Sequence, residues 1–163
     1  MGPVWQARLS ESPRHDDFPR SFEAAFARLQ VVVEEAYVSH ADWPDQVAAA
    51  IRVAFEFAAE DPEAANLLTN EALANGSDGI ARYQRLVGYA AGLLVPGRTL
   101  SSDGALLPGS LEHSLAGGIT MLVAQRVDRG SAAELPGIAA DAIQFALAPY
   151  LGSERARQVA AAE

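Results

Sequence analysis

Apolar residues in this chain recur at steps of three and four and never in the strict alternation that a half-buried strand requires. The clearest stripe is Phe22, Phe26, Leu29, Val33 and Tyr37. Side chains so spaced share one face of an α-helix, which predicts a helix over 20–39 with Ser21 as its N-cap. Val47, Ile51, Ala54, Phe55 and Ala58 form a second stripe and predict a helix over 44–59. The breaks are equally local. Asp42-Trp43-Pro44-Asp45 and Asp61-Pro62-Glu63 each offer an acid at the cap, proline in the first turn and an acid behind it. Proline's missing N–H costs nothing there, and the acids complement the helix N-terminus.

The helix that starts at Asp61 should end at Asn75-Gly76, a left-handed C-cap. A fourth helix is expected from residue 77 or 78 to the break at Pro96-Gly97, and a long loop over 98–109. Further helices are expected over 110–128, 132–150 and 153–162. Residues 1–17, polar with Pro3 and Pro13, are expected to be a flexible arm, leaving 18–163 as one helical domain. At 163 residues, half of them hydrophobic, the chain can bury one core. Alanine, the best helix former, is its commonest residue. The expected fold is all-α, a bundle of six to seven helices.

Charge and composition narrow the function classes. The formal charge is −9, every basic residue is arginine, and the arginines are scattered. A duplex-binding face needs clustered cations. There is no cysteine, which excludes disulfides, thiol catalysis and cysteine-based zinc sites. The first twenty residues hold no signal-peptide core, and the longest uncharged apolar run, 86–97, is about half a membrane span. A cytoplasmic domain with no membrane partner is expected. The histidines are His15, His40 and His113, preceded at three residues by Ser12, Tyr37 and Ser110. No Glu-x-x-His pair exists, so no metal is expected. There is no Gly-x-Ser-x-Gly elbow, and Gly117-Gly118 has neither a preceding strand nor a following lysine. No catalytic residue and no cofactor are expected. His113, on an otherwise apolar helix, is either a bonded structural histidine or a polar group in a pocket.

Three segments in order resemble the C-terminal domain of TetR-family transcriptional regulators. The stretch Ala59-Glu60-Asp61-Pro62-Glu63-Ala64-Ala65-Asn66-Leu67-Leu68 is similar to that family's junction between its fifth and sixth helices. Leu111 through Ile119, with Gly117-Gly118 and a closing Gly130, looks like its eighth helix. Phe145-Ala146-Leu147-Ala148-Pro149-Tyr150-Leu151-Gly152 is similar to the end of its ninth. Phe18 to Leu29 resembles the start of its fourth.

The resemblance implies a bundle whose inner helix faces line a cavity for a small apolar or aromatic ligand. Phe22, Phe26, Phe55, Phe57, Tyr83 and Tyr89 lie at helical spacing. The expected lining is Phe26, Leu29, Val33, Ile51, Phe55, Leu68, Tyr83, Val87, His113 and Met121. The helices over 110–128 and 132–150 are too apolar for burial on one side only. Together with the resemblance this implies a homodimer through Leu115, Ile119, Leu122, Val123, Ile138, Ala142 and Phe145. The family places a helix-turn-helix before its fourth helix. Seventeen residues precede Phe18 here, so this chain is expected to lack that headpiece and to make no DNA contact alone. The alternatives are a headless helical partner of a full-length regulator and a small helical enzyme.

Overall fold

A computed structural model describes residues 14–162, with side chains from Asp17 onward. No described residue lies in a strand, and seven principal helical segments make an all-α bundle. Helix α1 spans Arg14–Val38 and α2 Trp43–Glu60. The third segment runs from α3 (Pro62–Asn66) through a π-helical turn, Leu67–Glu71, into α4 (Ala72–Ala74). Helix α5 spans Gly76–Leu94, and the short α6 spans Gly97–Leu100. Helices α7 (Leu111–Asp128), α8 (Ala139–Leu151) and α9 (Ser153–Ala161) complete the bundle.

The two starts built on an aspartate and a proline differ: at α2 Asp42 occupies the N-cap position, but its side chain makes no capping hydrogen bond. Asp61 caps α3, accepting a hydrogen bond from the Ala64 N–H at 3.0 Å. The same carboxylate takes one from Arg28 of α1 at 2.9 Å, and these two donors, the backbone first, hold it below the usual carboxylate range. Pro44 and Pro62 both sit in a first turn. At the opposite kind of boundary, Gly76 takes φ +66°, the left-handed conformation that only glycine adopts freely.

Three boundaries differ from the sequence-based expectation. Helix α1 begins at Arg14, inside the segment assigned to the arm, so Ser21 lies within it and does not cap it; residues 1–13 lie outside the described residues. The span 132–138 is a 3-10 helix, and α8 starts only at Ala139. Pro136 has no N–H for an α-type bond and Gly137 is a poor helix former, so the tighter turn prevails there. The loop over 98–109 contains α6 and a 3-10 turn, Gly104–Leu106.

The largest core cluster joins α2 to the 3-10 segment, α8 and α9, around Phe55, Leu135, Ile143 and Leu147, all at most 1% exposed. A second cluster stacks Phe18, Phe22 and Phe26 of α1 on Ala64, Leu68, Ala72 and Leu86. Successive rings meet at 5.9 Å in tilted pairs. At one end of the bundle the Leu93 carbonyl accepts from Trp43 Nε1 at 2.9 Å and from Tyr37 Oη at 3.4 Å, tying α1 and α2 to α5. Nearby, Arg98 forks onto buried Glu112 at 2.7 and 3.0 Å and donates to the carbonyls of Gly104, Leu107 and Pro108. Tyr150 Oη also donates to Glu112, at 3.1 Å. Gly97 lies so close to the Trp43 and Tyr150 rings that a Cβ there would stand 2.8 Å from Tyr150 Cδ1. Among the described residues, no helix is long and apolar enough to cross a membrane.

Candidate functional site: an apolar cavity between five helical segments

A cavity of about 140 Å³ lies where α1, α2, the α3–π segment, α5 and α7 converge. Helix α1 supplies Leu29 and Val33, one turn apart. From α2 come Val47, Ala50, Ile51, Ala54, Phe55 and Ala58, the i, i+3, i+4 stripe that the sequence displays, with Phe57 beside them. The α3–π segment adds Ala65, Leu68 and Thr69, α5 adds Leu86, Tyr89, Ala90, Leu93 and Leu94, and α7 adds Ala116, Ile119, Thr120 and Val123. The space has a simple origin. Six of these wall residues are alanines, whose side chains are too short to meet across the convergence.

The wall is apolar in chemistry as well as in composition. Its two threonine hydroxyls are spent on their own helices: Thr69 donates to the Ala65 carbonyl at 2.7 Å and Thr120 to that of Ala116 at 2.8 Å. No carboxylate, arginine or histidine lines it. Tyr89 is the one ionisable residue, and burial, with Glu34 adding a smaller repulsion, pushes its phenol up to about 12. The Tyr89 ring meets Phe26 edge-on at 5.7 Å, and its hydroxyl is buried without a hydrogen-bond partner. Leu68 and Thr69 sit in the π turn, which inserts an extra residue into the helix ladder; such turns recur at functional sites.

Of the lining expected from sequence, Leu29, Val33, Ile51, Phe55 and Leu68 come together around this cavity. The other five lie elsewhere. Phe26 stands behind Tyr89 and faces a surface cleft between α1 and α5. Tyr83 is half-buried between core clusters, and Val87 is buried with Ala91 and Ala116. His113 is exposed at the α5–α7 contact, 3.9 Å from where a Cβ on Gly88 would stand. Met121 is exposed.

The residues expected at a dimer interface divide by environment. Leu115 and Ala142 are buried in the chain's own core, and Ile119 and Val123 face the cavity. Leu122 and Ile138 are half-buried against the core. Phe145 is 51% exposed, its ring 3.4 Å from where a Cβ on Gly118 would stand. Gly118 and Met121, one turn apart on α7, with Phe145 on α8, therefore form the open apolar surface of these two helices.

Among the described residues, no group of three or more histidine, aspartate or glutamate side chains is placed to hold a metal ion. The chain matches no protein-family model, no curated protein and no solved structure.

Proposed function

We propose that this chain is the effector-binding and dimerising domain of a TetR-like transcriptional regulator, cytoplasmic, acting by binding and not by catalysis. The observation that carries this is the apolar cavity of about 140 Å³, one wall of which is α1. Apolar cavities of about 150 Å³ stay dry and take up benzene. A ligand here is therefore uncharged, apolar or aromatic, and about one ring in size. It touches α1 through Leu29 and Val33, so α1 positions that suit a filled cavity are favoured over those that suit an empty one. Only such differential affinity can drive a switch. The α1 helix corresponds in the resemblance to the one that spreads the family's DNA-binding headpieces. The net charge of −9 argues against duplex affinity in these residues themselves.

The dimer belongs to the same proposal. An exposed phenylalanine over a glycine, with a methionine one turn away, is the kind of anchor found at the centre of interfaces. Pairing α7 and α8 with their symmetry mates covers it.

The test is thermal denaturation with benzene, toluene and cyclohexane, alongside native mass spectrometry of the purified chain. A saturable rise in Tm with at least one probe is expected. No rise with any of them, and no co-purified small molecule, refutes the ligand-binding function.

A further inference from the structure

We propose that the ligand enters through the surface cleft between α1 and α5, and that the Tyr89 side chain is the door between that cleft and the cavity. This rests on the ligand-binding function proposed above and adds the route and the residue that controls it. The cleft has a polar rim, Glu23, Gln30 and Arg85, with Phe26 and Gly88 deeper along α1 and α5. Tyr89 is the one residue that belongs to the walls of both the cleft and the cavity. A molecule passing directly between the two moves past its side chain.

The way Tyr89 is held distinguishes it from Trp43, Tyr37 and Tyr150. Trp43 and Tyr37 are fastened to the Leu93 carbonyl, and Tyr150 to Glu112. The Tyr89 hydroxyl is the one buried side-chain polar atom without a partner among the described residues. Only ring packing, chiefly the edge contact with Phe26, keeps the side chain in place. Turning it outward gives up that contact but hydrates a hydroxyl that is unsatisfied inside, so the two changes oppose each other and the door stays easy to open. The rim charges are neutralised, Glu23 by Arg82 and Arg85, so the route is open to an uncharged molecule.

The kinetics of benzene exchange with the full chain, followed by NMR, test this. In the wild type, association by this route waits on the Tyr89 side chain. In Tyr89→Phe the inside position no longer buries an unsatisfied hydroxyl, so association and dissociation both slow about tenfold while Kd changes by less than threefold. In Tyr89→Ala the door is gone and both rates rise. If benzene binds all three proteins at the same rates, the entry route is refuted and the cavity's function stands. If benzene binds none of them, the ligand-binding function itself falls, and the door with it.

Discussion

Filling the cavity should stabilise the protein, and the magnitude follows from its volume. At about 24 cal/mol per Å³, a void of about 140 Å³ forfeits about 3 kcal/mol relative to a solid core. Ala54 lies in the middle of the α2 stripe that faces it. Ala54→Leu adds three carbons, worth about 2.4 kcal/mol if all are buried, at little loss of helix propensity. Imperfect fit takes back part of this, so a gain of about 1–2 kcal/mol is expected, or about 3–6 °C in Tm for a chain of this size. Ala146→Leu is the contrast. Ala146 is fully buried in the solid cluster of α8, where extra carbons have no room, and a loss of about 1–3 kcal/mol is expected. The assay is urea and thermal denaturation of both variants with and without benzene. Ala54→Leu should also lose the benzene-dependent rise in Tm. Destabilisation of Ala54→Leu by more than about 1 kcal/mol, or a stabilised variant that keeps the full benzene response, refutes the argument.

Three other outcomes follow from the same geometry. Arg98 beside Glu112 holds its carboxyl below the usual range although burial opposes this. The unfolded group titrates near pH 4.3, so its contribution is complete above that pH and fades as pH falls through the lower folded value. Glu112→Gln should therefore cost about 2–3 kcal/mol at pH 7 and flatten the acid limb of a stability–pH curve measured by urea denaturation; an unchanged acid limb contradicts the assignment. Gly97→Ala forces a methyl into the Trp43 and Tyr150 rings and should cost about 2 kcal/mol or more in thermal denaturation, with a shifted Trp emission. Phe145→Glu should change the stability of the monomer by no more than about 0.5 kcal/mol, as a surface change does, while abolishing the proposed dimer in light scattering across a dilution series.

How far the sequence revealed this fold depends on how local each signal is. The start at Asp61-Pro62 was legible because the cap, the proline and the acid act within one turn. The 3-10 segment was harder: over seven residues a period of three hardly differs from one of 3.6, and only Pro136-Gly137 marked it. The cavity was half legible. The stripes on α1 and α2 pointed Leu29, Val33, Ile51 and Phe55 inward, because each helix has a single apolar face. Helix α7 is apolar nearly all round and gave no phase, so Ile119 and Val123, expected at an interface, line the cavity, while His113 and Met121 face outward. On α5 the sequence favoured Tyr83; Tyr89, six residues on, points about 120° away around the helix and is the tyrosine in the wall. The alanines that create the space carried no signal, since in sequence an alanine lining a void looks like one that merely favours helix. Asn70, within the π turn, donates to the Ala124 carbonyl at 2.9 Å, a contact distant in sequence that no local pattern displays.

The shared Leu93 carbonyl makes α1 a lever with a fulcrum. Tyr37, near the C-terminal end of α1, is held there, while the cavity touches the helix at Val33 and Leu29. At 1.5 Å per residue, Leu29 lies about 12 Å from that pivot and Arg14 about 35 Å from it. A rigid α1 displaced by about 1 Å at Leu29 therefore carries its N-terminus through about 3 Å. The ratio of the two arms is set by where the tyrosine is fastened, and any such swing also has to shift Phe18, Phe22 and Phe26 within the cluster they share with Leu68 and Leu86.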